Sequence, residues 1–404
     1  MLRSLKLFAP FTAALAIAGC NAGGSASVLA AIGQSAAQGQ PIPQWQALSL
    51  AHRACPVAGP GEAQCEALII NKSPQGKEPG WGPSDIEAAY GLPSSSKGSG
   101  EIVAVVDYND NPNVASDLAV YRRHYGLPKA KFYKFNQDGQ QGHYPKGQVE
   151  DGQEIDLDVD MVSAACPNCT IYLIESNNNS AHSLEKAEAE AVALGAHIVS
   201  NSFICYHSEN CGDPNFSSYF DTPGVTYLGA AGDIAYGVGV PSALASVVSV
   251  GGTLLSKSGS IYSEIVWQDT GGGCAAQITK PSWQHDPGCS GRTANDISAV
   301  SWDVATYDTY GSGGWNTNGG TSSATPIIAG AFALAGNADK QNGGETLWTL
   351  REAKRQRDLH VISSGNDGCP HDLRGSYLCT AGTDEFGTYS GPDGWGTPNG
   401  TGGL

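Results

Sequence analysis

Five short apolar runs, separated by polar or helix-forming stretches, constrain the fold of this chain more than any other feature. They cover residues 102–106, 170–175, 197–203, 225–229 and 247–250. Between the second and third, residues 183–194 are rich in Ala, Glu and Leu and read as a helix stopped by Gly195. Strands alternating with helices predict an α/β fold, a mostly parallel central sheet with helices on both faces. A chain of 404 residues with 40% hydrophobic content can bury one large core. No internal repeat stands out.

Three segments carry candidate chemistry. Residues 319–326 read Gly-Gly-Thr-Ser-Ser-Ala-Thr-Pro. Gly319 and Gly320 allow a close backbone approach, and Ser322 opens an apparent helix whose free N–H groups suit an oxyanion. The plainer alternative is a small-residue loop leading into a core helix. Farther upstream, Glu154-Ile-Asp-Leu-Asp158 sets two carboxylates four residues apart. On a helix they share one face and must share a proton or repel. The alternation Ile-Asp-Leu-Asp-Val-Asp also has a strand period, and Asp156 and Asp160 leave a solvated acidic face as the other reading. In the third segment, Gly229-Ala-Ala-Gly-Asp233, an acid follows a buried strand, where α/β folds place their sites.

In this order the motifs resemble the sedolisin family of serine-carboxyl peptidases. The family's Glu-x-x-x-Asp matches Glu154 and Asp158, its oxyanion aspartate matches Asp233, and its Gly-Thr-Ser matches Gly320-Thr321-Ser322. Flanking segments agree: Trp81-Gly-Pro-Ser-Asp resembles the start of the mature domain, and Val247-Val-Ser-Val-Gly-Gly-Thr253 a strand end. The similarity is strongest to bacterial members with a Cys-Pro-Asn-Cys after the acid pair, here Cys166 to Cys169. The resemblance implies a subtilisin-like fold and serine-type endopeptidase activity. It assigns Ser322 as nucleophile, Glu154 as base, Asp158 as its partner and Asp233 as a protonated oxyanion donor. Carboxyl groups in these roles suit acidic pH.

The sequence departs from the family in places. Asp233-Ile-Ala replaces the usual Asp-Ser-Gly, and Ser200-Asn-Ser-Phe-Ile204 replaces the cleft-lining Ser-x-Ser-x-Gly. The family's calcium carboxylates fall where this chain has His360-Val361 and Tyr389-Ser390. The expectation is that calcium is not held, with Asp358, Asp384 and Asp393 as the candidate substitutes. A large propeptide is expected to be absent, since fewer than 80 residues precede the mature-like start.

The N-terminus has a basic start, a short apolar stretch and then Ile17-Ala-Gly-Cys20, which resembles a bacterial lipobox. Residues 1–19 are expected to be a lipoprotein signal, 20–46 a flexible tether on lipidated Cys20, and 47–404 the peptidase domain with its core at about 80–404. A plain secretory signal is the alternative. Setting Cys20 aside leaves ten of eleven cysteines in near-neighbour pairs: 55/65, 166/169, 205/211, 274/289 and 369/379. Five local disulfides in an oxidising compartment are expected. Cys166-Pro-Asn-Cys169 also admits a redox or zinc reading, disfavoured by the strand-like run after it.

A net charge of −17 excludes nucleic acid and anionic membrane surfaces as partners, because phosphate contacts need Lys and Arg. A monomer acting on peptide or protein substrates at the cell envelope is expected. Two rivals remain at this level: a histidine-based subtilisin relative using Ser322 and Asp107, and a non-catalytic envelope-binding protein on the same fold.

Overall fold

A computed structural model describes residues 51–70, 80–206, 210–383 and 385–404. The signal, Cys20, the whole tether and Asp384 lie outside the described residues. All described residues belong to one unit, Pro43–Leu404.

Three short strands come first: β1 (Ala51–Arg53), β2 (Gln64–Cys65) and β3 (Leu68–Ile70). The main strands follow as β4 (Ile102–Tyr108), β5 (Lys131–Asn136), β6 (Thr170–Ser176), β7 (Ile198–Asn201), the two-residue β8 (Phe203–Ile204), β9 (Thr226–Ala230), β10 (Val247–Ser258) and β11 (Ile261–Val266). Then come β12 (Gly273–Thr279), β13 (Gly291–Ala294), β14 (Ile297–Val300), β15 (Val304–Asp308) and β16 (Gly314–Gly319).

An eight-stranded sheet runs β11-β10-β9-β7-β4-β6-β5, with β14 added alongside β10. All its pairings are parallel except β10–β11. The five apolar runs all become strands of this sheet. Burial on both faces explains their lack of polar alternation, since helices cover a parallel sheet on each side. One expectation needs correction: the run 197–203 is not one strand. β7 ends at Asn201, Ser202 intervenes, and β8 leaves the sheet to pair with β2.

Five helices bear on the argument: α1 (Pro83–Tyr90), α2 (Val114–His124), α3 (Val149–Ala165), α4 (Ala181–Ala193) and α5 (Thr321–Ala335). α4 starts two residues earlier than expected, because Ser180 caps it by accepting from the Ser183 N–H. α3 and α5 form the centre. α5 is buried from Thr321 through Leu334, so it is apolar on every side and has no solvent face. The two helices cross closely at Gly330, where an added Cβ would sit 2.6 Å from the Ala165 Cβ.

All five expected disulfides form: Cys55–Cys65, Cys166–Cys169, Cys205–Cys211, Cys274–Cys289 and Cys369–Cys379. No helix among the described residues is long and apolar enough to cross a membrane.

Candidate active site

The acid pair stands on α3, so the helical reading of residues 154–158 holds and the strand alternation does not occur. Nor is there a solvated acidic face. Glu154, Asp156, Asp158 and Asp160 are all buried. Asp156 accepts from the Asn111 amide at 2.6 Å and Asp160 from the Tyr307 N–H at 3.0 Å. These two carboxylates therefore tie α3 to its neighbours.

Glu154 faces the Ser322 hydroxyl instead, and Asp158 faces Asp107 and Ser202. Burial pushes Glu154 well above the ordinary carboxyl range, helped by the negative charges of Asp158 and Asp107, while the Ser322 hydroxyl acts against the shift. Burial likewise raises Asp158, with Asp107 adding to the shift and the Ser202 hydroxyl opposing it. Neither carboxyl has a well-formed hydrogen bond, so the hydroxyls of Ser322 and Ser202 are close but imperfectly aligned. Asp107, at the end of β4, is raised to about 7 by burial and by Asp151. It joins the carboxyl cluster. Three acids this near one another cannot all ionise, so the cluster holds protons at neutral pH.

Ser322 lies in the first turn of α5, behind Gly320, whose φ of 99° is a conformation that favours glycine. Its hydroxyl donates to the Ser202 carbonyl at 3.3 Å. Asp233, just beyond β9, accepts from the Thr321 N–H at 2.8 Å and the Thr321 hydroxyl at 2.9 Å, both through Oδ1. Its Oδ2 is buried without a partner. Burial pushes Asp233 up to about 7 against the Thr321 N–H, the Arg53 charge and the Thr321 hydroxyl. A protonated Oδ2 has a hydrogen to donate, and that oxygen faces the space around Gly320.

The structure thus gathers Glu154, Asp158, Ser322 and Asp233 from three separate elements. It also brings in residues the sequence did not flag. Glu66, between β2 and β3, is fully buried against them. The Ser322 N–H donates to the Glu66 carbonyl oxygen at 3.2 Å, and the Tyr206 hydroxyl donates to its side chain at 2.8 Å. Apart from a neighbouring half-cystine, nothing local in the sequence marks Glu66, because its role depends on a strand pairing across most of the chain.

The calcium expectation bears on the C-terminal region. Both Asp358 oxygens are engaged by the Arg357 guanidinium, at 2.8 and 2.7 Å. Asp393 accepts from the Ser390 hydroxyl through Oδ1, while its Oδ2 is buried without a partner. His360 is exposed, and its carbonyl lies against Gly396, where a Cβ would be 2.0 Å away. A single free carboxylate oxygen does not make the set of several oxygens that a hard cation takes. Elsewhere, Asp117, Asp156 and Asp308 each bring one oxygen within 4.8 Å of the others. Those carboxylates are already used by Thr309, Asn111 and the N–H groups of Tyr310, Gly311 and Ser312.

Residues 145–354, just over half of the chain, match the subtilase family, Peptidase S8. The chain belongs to that family. Within it, the similarity runs to the sedolisins, as the motifs implied. Kumamolisin of Bacillus sp. (strain MN-32) is 28% identical over 332 residues, covering 72% of this chain and 58% of its own length. Sedolisin of Pseudomonas sp. (strain 101) is 24% identical over 388 residues, covering 85% and 63%. The chain therefore spans about six-tenths of the length of these curated relatives. A solved structure of Pseudomonas sedolisin, a serine-carboxyl proteinase complexed with two molecules of pseudo-iodotyrostatin, superposes with a TM-score of 0.68 at 22% identity. It covers 80% of this chain and 96% of that one, and it bears out the subtilisin-like fold.

Proposed function

We propose that this protein is a serine-carboxyl endopeptidase that hydrolyses peptide bonds in acid. One observation carries the reading. The Ser322 N–H and the Asp233 carboxyl approach one carbonyl oxygen, that of Glu66, while the Ser322 hydroxyl neighbours Glu154.

In this mechanism Ser322 Oγ adds to the substrate carbonyl carbon and its proton passes to Glu154. Asp158 orients Glu154 and shares that proton. The oxyanion accepts hydrogen bonds from the Ser322 N–H and from protonated Asp233. The carbon–nitrogen bond then breaks, and Glu154 returns the proton to the departing amine. Water, giving a proton to Glu154, adds to the acyl ester; the bond to Ser322 Oγ breaks and Glu154 passes that proton to the serine oxygen, releasing the carboxylic acid product. A carboxyl base and a carboxylic-acid donor both favour acidic conditions. The groups surrounding Glu154 and Asp158 are carboxyls and hydroxyls, which favours this chemistry over a histidine base. Reaction of the purified protein with an acyl-serine probe tests the assignment: the label should map to Ser322. Labelling elsewhere, or none, contradicts it.

We further propose that no calcium is required, since Asp358 and Asp393 between them leave one oxygen free, Asp393 Oδ2. The enzyme is read as a monomer anchored to the bacterial envelope by lipid on Cys20, on the strength of Ile17-Ala-Gly-Cys20. Cys20→Ser should then leave the membrane fraction, and unchanged membrane association would refute the anchor.

A further inference from the structure

From Leu118 to Gln137 the chain has no Asp or Glu. That stretch nevertheless carries Arg122, Arg123, Lys129, Lys131 and Lys134, five of the 22 Lys and Arg of a protein whose net charge is −17. The fold gathers three of them around one cavity. α2 presents Ala115 and Ala119 one turn apart on its exposed side, the chain turns at Gly126, where φ is 66°, and β5 begins at Lys131. Small side chains on that helix face leave a cavity of about 670 Å³ between α2, the 126–130 turn and Phe132. Leu118, Leu127, Pro128 and Phe132 give it apolar walls, and its charged lining is Arg122, Arg123 and Lys129, with no acid. Its volume suits a small ligand.

The protein itself supplies these cations with little negative charge. Arg122 is buried, and its guanidinium donates to the Pro128 carbonyl at 2.7 Å, the Ser163 hydroxyl at 2.7 Å and the Pro167 carbonyl at 2.5 Å, all neutral groups. Three of its five N–H groups are so used, which leaves two for another acceptor. Burial lowers Arg122 to about 10 against the pull of Asp160, an acid that burial itself raises well above the ordinary carboxyl range. With Asp160 protonated, a buried cation is left unbalanced, which is costly. Arg123 and Lys129 are exposed and make no ion pair among the described residues. Lys134, by contrast, is taken up by Asp110 and Glu175. The cavity also lies away from the catalytic groups. Lys131 pairs with Thr170, and Thr170 with Ile102, so β5 starts level with β6 and β4, whereas Asp107 and Asp233 stand at the far ends of β4 and β9.

We propose that this cavity binds an amphiphile with one apolar chain and a phosphate head, the chain lying against Leu118, Leu127 and Phe132 and the head meeting Arg123 and Lys129 above Arg122. Charge complementarity selects an anion and the walls select a chain, so neither free phosphate nor a neutral detergent satisfies both. The choice of phosphate over carboxylate rests on the acid-peptidase reading above. Near about pH 4 a carboxylate is losing its charge, while a phosphate monoester keeps one negative charge because only its second proton titrates near about pH 6. A net charge of −17 opposes broad contact with an anionic surface, but a single cavity that concentrates cations needs no such contact. A ligand held at the end of the sheet away from Ser322 leaves the cleft to the substrate.

The test is calorimetric titration of the unlipidated full chain at about pH 4 with dodecyl phosphate kept below micelle formation, set against inorganic phosphate, laurate and uncharged dodecyl maltoside. Dodecyl phosphate should saturate at one molecule per chain, and inorganic phosphate should bind about a hundredfold more weakly or less. The double variant Arg123→Ala/Lys129→Ala should weaken dodecyl phosphate about tenfold or more. Ala119→Trp, which fills the cavity from the exposed side of α2, should abolish binding. Should that variant fail to fold, the double surface variant still decides. Ser322→Ala should bind as wild type does, so failure of the peptidase reading and failure of this site are read separately. No saturable binding of dodecyl phosphate overturns the site, and unchanged affinity in the double variant overturns its placement here. Equal affinity for dodecyl maltoside overturns the recognition of charge, and tighter binding of laurate overturns the phosphate head.

Discussion

Glu66 and Ser322 are joined by a backbone hydrogen bond of 3.2 Å from the serine N–H to the glutamate carbonyl, made inside a site with no exposed serine surface. That contact orders the rest of the cleft. It places a carbonyl beside Asp233, keeps water from Glu154 and Asp158, and leaves the carboxyl cluster deeply buried. Desolvation is the largest cause of the raised pKa of each of these acids.

Stability should therefore fall as pH rises from about 4 to about 7. Asp107 and Asp233 are each raised to about 7, while an unfolded aspartate ionises near 4. In that window the folded chain binds more protons than the unfolded one, so each step up in pH favours unfolding. Melting temperatures across the window should decline steadily. A maximum near neutral pH would show that these carboxyls ionise without cost in the fold.

Asp233 offers a second test, because its two oxygens do different things. Oδ1 is held by Thr321, and Oδ2 is free to donate only when protonated. Asp233→Asn keeps the acceptor and carries N–H donors at every pH, so activity should persist to higher pH than in wild type. Asp233→Ala should lose about 100- to 1,000-fold in kcat. Equal kcat and pH profiles for wild type and both variants would place the oxyanion elsewhere.

Calcium should have little effect. A cation bound to the folded state alone at a hundred times its Kd would add about 2.7 kcal/mol and shift the melting temperature by several degrees. With both Asp358 oxygens held by Arg357 and only Asp393 Oδ2 free, neither added calcium nor a chelator should move it. A chelator-induced drop restored by calcium would mean that other oxygens, Asp384 among the candidates, form a site.

Much of this was legible in the sequence where the physics is local. Five of the sheet's eight strands grow from short apolar runs, and each disulfide joins neighbours. Lys131 and Lys134 in β5, Glu264 in β11 and Ser298 in β14 break the apolar pattern, so those three strands were not legible. Ser322 sits where a glycine pair meets a helix start. The state of residues 154–160 was ambiguous because α3 is buried on nearly every side, which erases the helical polarity period and leaves a misleading alternation. The break at Ser202 was hidden for a related reason. Apolar residues resume at Phe203 and Ile204 beyond the polar Ser200-Asn-Ser202, and pairing with β2 from the N-terminal segment takes them out of the sheet. Glu66 was invisible because its partners, Ser202, Tyr206, Asp233 and Ser322, are distant in the chain.

The most direct test of the account compares wild type, Ser322→Ala and Glu154→Gln on a peptide library from about pH 3 to about pH 8. The account predicts a bell-shaped acidic profile for wild type. Both variants should fall by about ten-thousand-fold or more, as expected when a nucleophile and its base act as one unit. Undiminished turnover by Ser322→Ala, or a wild-type rate that climbs through pH 7 and holds above it, would contradict the account.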